Sequence, residues 1–72
     1  REGYLIAKER IVTNRSGLFG WDDASDFAVY VYDREGKLTD GKEAKKVTRD
    51  GKTYAELRLP EGYSAAVVRA TQ

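Results

Sequence analysis

Asp50-Gly51 stands between two segments of alternating character, and no other pair of residues constrains this chain's fold as strongly. A two-residue Asp-Gly loop favours a type I′ turn, in which both central residues take positive φ and the twist matches that of the flanking strands. With that turn in place, Glu43 faces Arg58, Lys45 faces Glu56 and Val47 faces Tyr54. Two opposite-charge pairs and an aliphatic–aromatic pair then share one face, each worth roughly 0.2–1 kcal/mol relative to Ala–Ala. The other face carries Ala44, Ala55, Leu57 and Leu59 as the core side, with Lys46 as its one awkward member. A slip of one residue would bury the charges, so the register is well specified.

The rest of the chain is also read by alternation and punctuation. Phe27-Ala28-Val29-Tyr30-Val31-Tyr32 is aromatic and β-branched and reads as a strand with two coverable faces, placed mid-sheet. Asp33 to Lys37 supplies a turn, Lys37-Leu38-Thr39 a short return strand, and Asp40-Gly41 a second turn. Pro60 ends a strand because it has no N–H for a ladder, so Leu59 to Tyr63 is a turn. Ser64 to Ala70 follows as a last strand with two small apolar faces, suited to close packing under another layer. Gly3 to Thr13 reads as a strand with a bulge or an exposed middle around Lys8-Glu9-Arg10, in preference to a short helix. The expected fold is all-β: a small antiparallel β-barrel or sandwich of five to six strands, with residues 1–72 as a single small domain.

At 72 residues, a single core rarely supplies more than about 3–5 kcal/mol, and many such domains lean on disulfides, metals or partners. The chain has no Cys and no His, which rules out a disulfide framework and the common zinc sites. Packing or a partner must serve instead, so a protein partner or a homo-oligomer is expected. Thirteen basic residues against twelve acidic ones leave a net charge of +1, without the basic excess of a typical nucleic-acid module. No apolar run approaches the roughly 20 residues that span a bilayer, no secretory signal is visible, and no membrane role is expected. The chain opens at Arg1 and contains no Met, which reads as a processed product, an excised domain or a trimmed chain. Nothing in the composition assigns a compartment.

The segment from Asn14 to Asp26 reads as a loop, and it holds the candidate site. Leu18-Phe19-Gly20-Trp21 places large apolar groups between glycines, where a regular element is not expected to continue. Leu18, Phe19 and Trp21, with Asp22 and Asp23, form the first candidate binding set, because exposed aromatic rings dominate interface hot spots. The competing reading folds Trp21 over an open end of the core as a plug. Asp22, Asp23 and Asp26 together offer oxygens for a cation, but their spacing does not match an EF-hand, and capping of turns is the simpler role. The expectation is no metal and no cofactor. Asn14-Arg15-Ser16 is formally a glycosylation sequon.

A second candidate set lies on the strands: Tyr30, Tyr32, Lys45, Tyr54 and Arg58, a stacking platform with basic neighbours for single-stranded nucleic acid. Enzyme chemistry is not expected. Without His or Cys, Ser16, Ser25 and Ser64 have no general base, and adjacent Asp22 and Asp23 point apart in an extended stretch. Leu59 to Val68, LPEGYSAAVV, resembles the closing strand of the β-sandwich domain that follows the barrel in α-amylase-type glycoside hydrolases. The resemblance covers ten residues without a functional motif, and it implies an accessory β-sandwich with no catalytic residues of its own. The functional expectation is a non-catalytic binding module using the Leu18–Asp26 loop to contact another macromolecule or a second subunit. The alternatives are a small nucleic-acid-binding β-barrel and a carbohydrate-contacting accessory domain.

Overall fold

The computed structural model describes residues 9–23 and 25–70. Among these are six strands and no helix: β1 (Arg10–Thr13), β2 (Gly17–Phe19), β3 (Phe27–Tyr32), β4 (Ala44–Arg49), β5 (Lys52–Leu57) and β6 (Ser64–Arg69). They form two antiparallel sheets of three strands, one in the order β1-β6-β3 and the other β2-β5-β4. The sheets are separate, so the closed-barrel expectation does not hold. The expected strand over Gly3–Thr13 is observed from Arg10 onward, and residues 1–8 lie outside the described residues.

The β4–β5 hairpin has the expected register, with Lys45 opposite Glu56 and Val47 opposite Tyr54. Asp50 has φ 52° and Gly51 φ 79°, the two positive values that a type I′ turn requires. Arg58 N–H donates to Glu43 O at 2.9 Å and continues the ladder one step past the strands.

Alternation sorts each strand into an inner and an outer face. Phe27 and Val31 from β3, Ala65 and Val67 from β6, and Ala55 and Leu57 from β5 are buried in one cluster drawn from both sheets. Ile11, Phe19, Trp21, Val29, Ala44, Leu59 and Tyr63 pack around it half-buried. No polar or charged side chain is buried among the described residues.

Phe27–Tyr32 is not mid-sheet: β6 holds the centre, pairing Ala66 with both Val12 and Tyr30, and β3 lies at the edge. Apolar character on both faces suggested a covered strand, yet Ala28 and Tyr30 are exposed on the outer one. The return strand expected at Lys37–Thr39 is a single bridge, Leu38 to Tyr32. It is held by Thr39 N–H donating to Val31 O and Asp33 N–H to Lys37 O, each at 2.8 Å.

Gly17–Phe19, within the expected loop, is strand β2, pairing Leu18 with Glu56 and Phe19 with Ala55. Glycine fits the edge here. A Cβ on Gly20 would lie 2.8 Å from Tyr54 Cδ1 and 3.1 Å from Thr53 O, so only a residue without a side chain lets the backbone come this close.

Candidate functional site

The first candidate set divides between the core and the surface. Phe19, on the inward face of β2, and Trp21, just beyond it, both pack against the buried cluster. The Trp21 ring lies 6.4 Å from that of Phe27, centroid to centroid, tilted by 44°. The Arg69 guanidinium sits over its other neighbourhood, 5.7 Å from the ring centroid. Leu18, on the outward face, is 46% exposed, and Asp22 and Asp23 are exposed. Both rings thus add to the core packing, and Leu18 is the apolar group this segment presents outward.

The aspartates are occupied by turn and corner contacts. Ser25 donates both its N–H (3.1 Å) and its hydroxyl (2.6 Å) to Asp23 Oδ1. Arg69 pairs with Asp23 Oδ2. The Ser25 hydroxyl bond, helped by Ser25 N–H and Arg69, holds the Asp23 carboxyl below its ordinary range. Asp26 Oδ1 accepts from Phe27 N–H at 2.8 Å and from Lys46 Nζ at 3.1 Å, and the first of these is the main cause lowering its pKa. Among the described residues no cluster of three acidic side chains is placed to hold a metal ion.

The second candidate set is not brought together. Tyr30 and Tyr32 lie on the outer face of the β1-β6-β3 sheet, whereas Lys45 and Tyr54 lie on the outer face of β2-β5-β4. Arg58 follows β5 and pairs with Glu56 at 3.6 Å. Each outer face points away from the shared core, so Tyr30 and Tyr32 do not share a platform with Tyr54 and Lys45.

The two outer faces differ in kind. On β2-β5-β4 the outward rows are Leu18–Glu56–Lys45, Tyr54–Val47 and Lys52–Arg49, a charged surface of the kind that faces water. On β1-β6-β3 the rows are Arg10–Val68–Ala28, Val12–Ala66–Tyr30 and Ser64–Tyr32, with Arg10 the one charged member. Val12 is 70% exposed, Tyr30 43%, and Leu38, bridged to Tyr32, 61%. Val12 and Leu38 were not singled out from the sequence. The signal for the face was present in β6, where Ala66 and Val68 make the strand apolar on both sides.

In comparisons with protein-family models, characterised proteins and solved structures, the chain matches none.

Proposed function

We propose that this chain is a non-catalytic interaction module, its two sheets stacked as a small sandwich, and that it presents the outer face of β1-β6-β3 to another protein chain. The single observation behind this reading is the contrast between the two outer faces: one charged, the other almost free of charge with Val12, Tyr30 and Leu38 exposed. The largest apolar patch of a small domain is often a functional one. The first candidate for the other chain is a second copy, because an apolar sheet face is its own complement and a core this small gains most from burying it. Two strands of six residues and one of four, at about 4.8 Å spacing, offer a footprint on the order of 250 Å². Stable interfaces cover about 800 Å² per partner, so the expected association is weak and reversible.

The catalytic reading has little support, since the two carboxyls with shifted pKa among the described residues are both pushed down, away from acid–base work near neutrality. Nucleic-acid binding through the whole set has less support, because Tyr30 and Tyr32 lie on one outer face while Tyr54 lies with Lys45 on the other. Sedimentation equilibrium tests the proposal, with the parent compared with the double variant Val12→Lys and Tyr30→Lys. The parent is expected to self-associate at high micromolar concentration and the variant to stay monomeric with a similar melting temperature. A parent that remains monomeric at millimolar concentration overturns pairing with a second copy.

A further inference from the structure

The open edges of β3 and β4 flank a groove of about 320 Å³, floored by Phe27, Val29 and Ala44 and bordered by Lys45 and Lys46. The direction of the backbone groups along both walls follows from the hydrogen bonds already described. In an antiparallel strand the N–H and C=O of one residue point to the same side, and successive residues alternate sides. Val31 O and Asp33 N–H bond to Thr39 and Lys37, away from β6, while Asp26 O accepts from Ala70 N–H on the β6 side. Odd-numbered residues of β3 therefore address the open edge. Asp26 Oδ1 takes the Phe27 N–H, which leaves Phe27 C=O and both backbone groups of Val29 at an edge where no strand runs alongside among the described residues.

On the opposite wall, the type I′ turn makes Arg49 and Lys52 a hydrogen-bonded pair, and Glu43 O accepts from Arg58 N–H. Odd residues of β4 thus face β5, and Lys46 N–H and C=O face the groove side. Both walls then present unpaired main-chain donors and acceptors above an apolar floor. A compact apolar ligand would leave those groups to water. An extended chain has donors and acceptors on both its edges and alternate side chains for the floor, which is the chemistry of strand addition.

We infer that this groove takes an extended peptide segment of another protein, alternately apolar and polar, which adds to the open edge of β3 as a further strand. The alternation follows from the edge: every second side chain of the added strand meets the apolar floor, and the others continue the outer face of β1-β6-β3 toward water. A second copy fits this edge less well than a free peptide does. Antiparallel pairing of two β3 edges would set residues near Val31 of one copy against those near Phe27 of the other, and the Val31 edge already carries Thr39. The inference stands apart from the reading of the outer face, since it uses the backbone edge and the inward residues.

The test is a titration of the ¹⁵N-labelled chain, followed by NMR, with an end-capped hexapeptide of alternating aspartate and valine at millimolar concentration. Amide shifts are expected at Phe27–Val29 and Ala44–Lys46, with slowed hydrogen exchange at Val29. N-methylation of the edge-facing peptide amides is expected to weaken binding about tenfold or more, because the main-chain bonds cannot form. Binding that survives N-methylation, or shifts centred on Val12 and Tyr30, would overturn the inference. So would protection of Val29 that rises with protein concentration in the absence of peptide, which would make a second copy the occupant.

Discussion

Lys46 reaches across from the inner side of β4 to place its ammonium 3.1 Å from Asp26 Oδ1, and on the way it lies 5.0 Å from the centroid of the Phe27 ring. A lysine on the core side of a strand is awkward only while its ammonium lacks a way out. Here the aliphatic stem covers apolar surface and the charge emerges beside a carboxylate, as long basic side chains commonly do. The contact joins the two sheets at the side where their edges stay open.

That contact carries a pH dependence with a definite sign. Asp26 and Asp23 are both held below the ordinary carboxylate range, Asp26 first by Phe27 N–H and then by Lys46, Asp23 first by the Ser25 hydroxyl. A carboxyl with a folded-state pKa below its unfolded value stabilises the fold fully above the unfolded value, and loses that contribution as pH falls through the folded one. Melting temperature should therefore stay nearly level from neutrality down to about pH 5 and fall below about pH 4. The double variant Asp23→Asn and Asp26→Asn should show a smaller acid-induced drop in thermal melts. An unchanged drop would mean that other carboxyls carry it.

Gly20 makes a sharper claim on stability. Continuing the β2–β5 register one step beyond Phe19–Ala55 sets Gly20 opposite Tyr54, with the ring filling the place of the missing side chain. Gly20→Ala would put a methyl group 2.8 Å from Tyr54 Cδ1, and a shift of the ring or the strand is expected to cost about 1–3 kcal/mol. Urea unfolding measures it. In a Tyr54→Ala background the cost should shrink without vanishing, because Thr53 O remains 3.1 Å away.

The hairpin turn predicts a residue-specific ranking. Asp50 holds φ 52°, a conformation that costs a β-branched side chain more than it costs aspartate. Asp50→Val is expected to destabilise by about 1–2 kcal/mol, whereas Asp50→Gly should stay within about half a kcal/mol of the parent. Denaturant midpoints for the two variants check the order.

The features that were legible in the sequence are those set by neighbours along the chain. Asp50-Gly51 sets its own turn, and the pairs Lys45–Glu56 and Val47–Tyr54 follow from it by counting. What was misread depended on residues far apart. The place of β6 between β1 and β3 rests on pairings such as Val67 with Ile11 and with Val29, which no local pattern announces. Lys46 looked misplaced because its partner, Asp26, lies on a different strand connection. Gly17 and Gly20 read as breakers because the ring that makes Gly20 useful belongs to Tyr54. The candidate site suffered in the same way: Phe19 and Trp21 have the composition of a hot spot, and tertiary packing turns them onto the core.

Trp21 therefore yields the most discriminating experiment on that segment. Its ring packs against the buried cluster, beside Phe27 and under the Arg69 guanidinium, and Arg69 in turn pairs with Asp23. Removing the ring opens a gap at that corner and deprives Arg69 of the surface it lies on. Full burial would put the cost of a large aromatic truncation at about 3–5 kcal/mol. Trp21 is half-buried, so Trp21→Ala is expected to lose about 2–4 kcal/mol of folding stability. Leu18→Ala, by contrast, removes an outward side chain that is 46% exposed and should change stability by less than about 1 kcal/mol. Chemical denaturation of both variants separates the roles. A Trp21→Ala protein as stable as the parent would return the ring to the surface, and with it the recognition role that the glycine-flanked segment suggests.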